Sequence, residues 1–453
     1  MSDLTPAQVL EWTTRNTYGT WRYQKGWKPL HVVDAEGSTF TDSNGKRYLD
    51  LSSQLMCSSL GHKNPALIEA ICKQARELPF VSPGFTTTVR AELAKLLLEV
   101  LPKGLTKFFF TTSGTEANEA AIRIARMVTG KYKILARYCS YHGSTGGSIA
   151  ATGDFRRQPV EPVGKIDGVI FGPECHCYRC PLKLTYPDCA LACADYFDHM
   201  IRSEGNVAAI IVEPVVGTNG VLVPPPDYFP RLVSIAKRHG VLVIADEVMS
   251  GWGRTGKWFA VDHWNVQPDI LTTAKGITGA YVPLGLTATT QPIADYFDTH
   301  YFGLGHTYEA HPLTLAPAVA AIGEYRRLNL IERAARLGEM LGAKLRDLQR
   351  RHPSVGDVRG LGLFWAIEVV RDRRSREPFN SGEDKLAGRP LLIDRITADL
   401  MSRGVYCVGW LSHLVIAPPL IITEAEIDQA VKALDASLAI ADAEVRPDEV
   451  DRE

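Results

Sequence analysis

Short apolar runs closed by turn residues set the rhythm of this chain. Val207–Val212 and Val241–Ala245 are β-branched, a handful of residues each, and read as strands buried on both faces. Phe108–Phe110, Tyr132–Ala136, Ile270–Thr272 and Leu284–Ala288 follow the same pattern. Between them, Glu116–Val128 and Asp227–His239 carry apolar residues at helical spacing. This alternation, from about Asn64 to His311, predicts a mostly parallel sheet with helices on both faces. The first sixty residues read differently. There Val32–Val33, Thr39–Thr41 and Tyr48–Leu51 are short strands parted by turns at Glu36–Gly37 and Ser43-Asn-Gly45. Beyond about Pro317 the pattern is helical, over Ala318–Leu328 and Ile331–Arg351, with a strand at Leu363–Val370 and a helix near Leu392–Arg403.

The expected fold class is therefore α/β. A large domain spans residues 64–317, with a Cys-rich insertion at about 172–195. A smaller α+β domain spans 318–453, and residues 1–63 join it. The charged stretch from Asp442 onward reads as a solvated end.

Length and composition narrow the function classes. A chain of 453 residues is too long for one simple core. Its formal net charge is −1, with acids and bases interspersed, which gives no electrostatic case for nucleic acid or a membrane surface as partner. No apolar run approaches the roughly 18 residues that would span a bilayer. The opening MSDLTPAQVLEWTTRN has no basic region followed by an apolar core, so no secretory signal is expected. Nine cysteines, an odd number, do not form a fully paired framework, and a cytoplasmic setting is expected.

Three stretches carry candidate chemistry. In Phe108-Phe-Phe-Thr-Thr-Ser-Gly-Thr-Glu-Ala-Asn118 a strand turns into a helix, and the amides of Ser113, Gly114 and Thr115 suit a phosphate or an ordinary helix cap equally. Asp246 ends the strand of Val241-Leu-Val-Ile-Ala-Asp-Glu-Val248, where a buried carboxylate requires a partner. A protonated ring nitrogen of a cofactor fits, as does a neighbouring backbone N–H or arginine. Lys275, in Thr272-Thr-Ala-Lys-Gly276, sits among small residues after another strand; it is either a desolvated nucleophile or a side chain reaching for solvent. Together the three place a phosphate cradle, an acid and a lysine at strand ends of one sheet, which matches the needs of pyridoxal phosphate.

On these and further blocks the chain resembles the class III aminotransferases. This fold-type I group includes ω-amino acid:pyruvate and taurine:pyruvate aminotransferases. The further blocks are Tyr141-His-Gly143, Val212-Glu-Pro214, Ala245-Asp-Glu-Val-Met-Ser-Gly-Trp-Gly-Arg-Thr-Gly256 and His306-Thr-Tyr-Glu-Ala-His-Pro312, all in family order. The resemblance implies pyridoxal 5′-phosphate carried on Lys275, with Asp246 facing its pyridinium nitrogen. Tyr141 and Val248 cover the two ring faces, with His142 and Glu213 close by. Ser113, Gly114 and Thr115 hold the phosphate, and Thr307 reaches the phosphate of a neighbouring subunit. A homodimer, or a tetramer built from one, follows, with shared active sites. The implied reaction passes an amino group from an ω-amine, β-amino acid or taurine-like donor to a keto acid, pyruvate in particular. An aminomutase or racemase of the same fold is the alternative.

Two departures from the family pattern stand out. Many relatives carry a mobile arginine where this chain has Val408, and relatives acting on ornithine or 4-aminobutyrate carry a glutamate where it has Thr218. The carboxylate anchor is thereby unassigned. Arg156 and Arg157 are candidates for it, though a solvated loop is the expected setting of both, and Met56 stands at a pocket position often held by Trp. The second departure is Cys177, Cys180, Cys189 and Cys193, whose types suit a structural zinc, local disulfides or free thiols; no metal is assigned to the active site.

Overall fold

The computed structural model describes residues 4–445. Near the amino terminus, β1 (Val32–Glu36), β2 (Thr39–Asp42) and β3 (Arg47–Asp50) form an antiparallel meander. The central sheet contains β4 (Leu105–Thr111), β5 (Lys133–Arg137), β6 (Val169–Gly172), β7 (Val207–Val212), β8 (Leu242–Asp246), β9 (Ile270–Thr273) and β10 (Gly285–Thr290). Its strand order is β4-β10-β9-β8-β7-β5-β6, and only β10 runs against the rest. The mostly parallel α/β sheet expected from the strand–helix alternation is present. Six strands thus deliver their carboxyl ends to one edge, where ligands bind in sheets of this kind.

The remaining strands are β11 (Val355–Leu361), β12 (Phe364–Asp372), β13 (Glu377–Pro378), β14 (Val405–Tyr406), β15 (Val408–Trp410) and β16 (His413–Ile416). They make a second sheet in the order β11-β12-β16-β15, with β13 on β12, while β14 pairs in parallel with β3. The amino-terminal meander is therefore tied to the carboxyl-terminal third of the chain through Leu49 and Val405.

Alternation along the central strands explains the layers. Ile210, Val212 and Val243 face the helix Tyr228–Arg238 and pack with Leu232 and Ile235. Ile211, Ile244 and Ile270 face the other way, onto Ala121, Ile124 and Ala125 of the helix Gly114–Thr129. That helix closes on Gly130, whose φ of 63° is the left-handed conformation that a residue without Cβ adopts at no steric cost. The helix expected from Ala318 starts earlier, at Pro312, and carries Pro317 inside it. Pro312 in the first turn, where a missing N–H costs nothing, sets that earlier start.

The expected solvated end begins late. Asp442 closes the helix Glu424–Asp442, and its Oδ1 accepts from Ser354 Oγ (2.6 Å). Residues 446–453 of that stretch, like 1–3 of the amino-terminal segment, lie outside the described residues. No helix among the described residues is long and apolar enough to cross a membrane.

Leu337, in the helix Leu330–Arg351, is fully buried in the largest apolar cluster. Leu337→Ala is expected to cost about 3 kcal/mol through lost burial and the cavity left behind. Urea unfolding checks this as a lower midpoint at unchanged slope; an unmoved midpoint contradicts the packing described.

Candidate active site

The site is assembled from loops that leave the carboxyl edge of the central sheet. Beyond β4, Ser113 caps the helix Gly114–Thr129, its Oγ accepting from Glu116 N (3.2 Å). Glu116 in turn accepts from Thr112 N (2.7 Å) and Thr112 Oγ1 (2.6 Å), which fixes the turn. A Cβ on Gly114 would stand 2.7 Å from Val248 Cγ1, and one on Gly143 would stand 2.5 Å from Ser148 Oγ. Bare backbone is required at both places. The helix amino terminus opens here into a cavity of about 190 Å³.

That cavity is lined by Ser113, Gly114, Thr115, Tyr141, His142, Glu213, Asp246, Val248 and Lys275. All nine were singled out in the sequence. Thr307 is not among them: it is exposed, on the loop before the helix Pro312–Arg327. Asn118, Thr218 and Met249 also face the cavity. Sequence reasoning gave no role to Met249 or to Asn118, and Asn118 is the one that touches Asp246. The available signal was an amide side chain inside a helix, at a position where apolar neighbours bury it.

Asp246, 2 % exposed at the end of β8, is held by three groups. Asn118 Nδ2 donates to its Oδ2 (2.7 Å), His142 Nδ1 lies 2.8 Å from the same oxygen, and Val248 N donates to Oδ1 (3.0 Å). Asn118 is itself oriented by Thr272 Oγ1, which donates to Asn118 Oδ1 (2.6 Å), and by the carbonyl of His142 (2.7 Å). No lysine or arginine among the described residues pairs with Asp246, so the backbone partner foreseen in the sequence is present without the arginine. His142 Nε2, also buried, has no partner.

Lys275 follows β9 in a left-handed conformation, φ 48°. Its backbone is pinned from behind: Tyr325 Oη donates to Gly276 O (2.8 Å), and a Cβ on Gly276 would stand 2.6 Å from Trp252 Cβ. Desolvation pulls the Lys275 pKa below the ordinary lysine value, and nearby Cys57, Asp246 and Glu213 pull part of the way back. Glu213 accepts from Tyr141 N (2.9 Å) and Gly217 N (2.8 Å). Burial raises its pKa, with His142 lowering and Asp246 raising it further.

Two expectations need correction. Arg156 is not in a solvated loop: it is 7 % exposed, with its guanidinium carbon 3.8 Å from the Tyr141 ring centroid and 4.6 Å from that of Trp410. Asp154 holds it through Nε (2.9 Å), and Asn219 Nδ2 donates to the same carboxylate oxygen (3.0 Å). Arg157 is half-buried, over Phe171 and bonded to Glu161 (2.8 Å). Cation–π contacts cover both guanidinium groups, and for Arg156 a buried acid, Asp154, adds to them. Met56 likewise packs into an apolar cluster and lines neither this cavity nor its approach. The nine cysteines are unbridged, and among the described residues no three metal-binding side chains gather as a ligand set.

Residues 22–438 match the family described as Aminotransferase class-III. The chain is a class III aminotransferase. A taurine–pyruvate aminotransferase of Bilophila wadsworthia is 34% identical over 441 residues, covering 91% of this chain and 92% of its own. A leucine/methionine racemase of Thermococcus litoralis is 34% identical over 421 residues, covering 91% of both. The crystal structure of a taurine:2-oxoglutarate aminotransferase from Bifidobacterium kashiwanohense, in complex with pyridoxal phosphate and glutamate, superposes with a TM-score of 0.93. It is 35% identical, over 98% of this chain and 100% of that one.

Class III aminotransferases work with pyridoxal 5′-phosphate, and the residues present fit it. The glycine-lined helix terminus leaves room for a phosphate that a Cβ would fill, and Asp246 is a buried acid without a fixed cation. In this aminotransferase, Gly114→Ala is expected to force Val248 aside at a cost of about 1–3 kcal/mol. Equilibrium dialysis should then show cofactor affinity lowered roughly 5- to 100-fold. Undiminished affinity would remove Gly114 from the cradle.

Proposed function

We propose that this aminotransferase moves the amino group of an ω-amine, β-amino acid or taurine-like donor to pyruvate, as a cytoplasmic homodimer with Lys275 as the cofactor-bearing residue. Pyridoxal phosphate, when bound, supplies an aldehyde that condenses with amines and a ring that accepts negative charge from the substrate carbon. The remaining tasks fall to the chain. Lys275, whose pKa burial lowers, would hold the cofactor through its amine and could carry a proton to or from the substrate carbon. Asp246, aimed by Asn118, His142 and the Val248 amide, faces the ring nitrogen. Tyr141 and Val248, which line the same cavity, would hold the ring, and the Ser113–Thr115 turn would hold the phosphate.

The dimer reading rests on Thr307, which is exposed and does not line this protomer's own cavity. It is flanked by Tyr301, 92% exposed, and Tyr308, and the nearby groove is lined by Phe108, Phe109, Phe297 and Phe302. Apolar surface of that kind marks an interface. Nine free thiols suit a reducing compartment.

The single observation that carries the substrate reading is Arg156. With Val408 on β15 where relatives keep a mobile arginine, Arg156 is the buried cation that lies against Tyr141. It supports binding of the keto-acid carboxylate, and a donor gate of the ornithine type is missing. The two taurine relatives differ in the acceptor they are named for, which makes the acceptor the point to test.

Taurine, β-alanine, putrescine and 4-aminobutyrate, each offered with pyruvate and then 2-oxoglutarate, should give turnover with pyruvate. Recovery of the aldehyde absorbance by 2-oxoglutarate alone would overturn the acceptor assignment. Isomerisation of an amino acid without any keto acid would favour the racemase chemistry of the Thermococcus relative. Lys275→Ala is expected to lower kcat by roughly 10²–10⁴ or more and to abolish borohydride trapping at that position. Arg156→Met should raise KM for pyruvate roughly tenfold or more, as loss of a charge-assisted contact does, with less effect on the donor half-reaction.

A further inference from the structure

The Cys-rich insertion leaves β6 and rejoins the fold through the helix Ala192–Glu204. At its base three thiols meet, because Cys175 hydrogen-bonds with both Cys177 and Cys193. Cys175, which the sequence quartet leaves out, is therefore the centre of the group. It is 3% exposed and packs in one apolar cluster with Phe197, Tyr228 and Cys193. Cys193 is partly buried and Cys177 is exposed, so the group reaches solvent at Cys177.

The fold holds this group from both sides. Gly172 closes β6 against the helix: a Cβ there would stand 2.9 Å from Met200 Sδ and 3.0 Å from Phe197 Cζ. Cys175 follows three residues later and meets the first turn of that helix, where Cys193 is the second residue. On the other side Arg179 bonds to Glu368 of β12, and Tyr178 O accepts from Arg376. No metal ligand set gathers here among the described residues.

The three thiols differ in chemistry. The hydrogen bond with Cys175 lowers the Cys177 pKa to about 7, against desolvation. The same neighbour lowers that of Cys193, with help from the amides of Ala194 and Cys193 at the helix amino terminus. Cys175 itself is pushed up by these two contacts and by burial. An exposed thiolate, a buried thiol against it and a further thiolate against that thiol suit the passage of an oxidising equivalent inward.

We propose that Cys175 and Cys193 are a reversible oxidation site, closed as a disulfide by a hydroperoxide that enters at Cys177. The Cys177 thiolate attacks one peroxide oxygen, the O–O bond breaks, and hydroxide leaves a sulfenic acid behind. The Cys175 sulfur then displaces the sulfenic oxygen, which departs as water with the Cys175 proton, and a Cys175–Cys177 bridge forms. The Cys193 thiolate, its proton taken by the hydroxide, attacks Cys175 Sγ, and Cys177 leaves as thiolate. Exchange is favourable because a bridge between residues two apart closes a small, strained ring. In sum two thiols and one peroxide become one disulfide and two waters. The two sulfurs lose two electrons and the peroxide oxygens gain them.

The reduced holoenzyme is treated with one equivalent of hydrogen peroxide, and its thiols are counted after denaturation. The count should fall from nine by the two that are joined. Peptide mapping should place the bridge at Cys175–Cys193, and dithiothreitol should restore all nine. In Cys193→Ser the bridge should stop at Cys175–Cys177. In Cys177→Ser the Cys175–Cys193 bridge should form roughly tenfold or more slowly, as loss of the accessible thiolate requires. The thermal midpoint of each reduced variant reports whether it is folded, and the wild-type count and map stand without the variants. A count that stays at nine, a bridge between other cysteines, or one zinc per chain on these thiols overturns the site. A bridge that forms at the wild-type rate without Cys177 overturns the entry route.

Discussion

A carboxylate buried at the end of a strand is the constraint around which this molecule is arranged. Leaving Asp246 dry and unsatisfied would cost several kcal/mol. The chain offsets that cost with groups drawn from separate elements. Asn118 comes from the helix after β4, His142 from the loop after β5, and the Val248 amide from the turn after β8 itself. Thr272 on β9 sets the orientation of Asn118. Four elements that are distant in sequence are thereby held in register at one sheet edge, and the helix amino terminus and Lys275 come with them.

The network is satisfied in hydrogen bonds without being neutralised by a fixed lysine or arginine. It contains in addition a buried ring nitrogen, His142 Nε2, with no hydrogen-bond partner among the described residues. Polar groups left in this condition at a cavity wall are a stored demand for a ligand. The lowered Lys275 pKa has the same origin, because the enclosure that isolates Asp246 also desolvates the amine. Rigidity comes from outside the cavity: Trp252 behind Gly276 and Val248 against Gly114 are contacts that tolerate no added atom.

Much of this was legible in the chain as written. Short β-branched runs ending in Asp246 or leading to Lys275 mark strands by period and composition, and nine of ten named site residues line one cavity. What stayed hidden depends on contacts across long separations. Arg156 reads as a loop arginine until Trp410, from the carboxyl-terminal third of the chain, is seen to enclose it together with Tyr141. Asn118 looks like an ordinary helix residue until Asp246 arrives from 128 residues away. Thr307, exposed and absent from the cavity lining, is the one named site residue that the geometry of this chain does not bring in. The helices Pro65–Glu77 and Glu424–Asp442 were legible in principle, since Asn64 and Thr423 are good caps before apolar residues at helical spacing.

Chemistry and substrate choice are thus built on different parts of the fold. The acid, the lysine and the phosphate turn stand at strand ends, where ladder hydrogen bonds and two packed faces fix position closely. Arg156 belongs to the single-turn 3-10 helix Phe155–Arg157, and Trp410 to the short edge strand β15. Substitutions there change a charge or an aromatic wall without disturbing the Asp246 network. The relatives are consistent with this division: at about 34% identity their names share an amine chemistry while their acceptors, and in one case the reaction, differ. The same division explains why Val408 and Thr218 are compatible with an intact site. Asp246 is anchored by Asn118, His142 and the Val248 amide, none of which requires the gate that those two positions hold in other members.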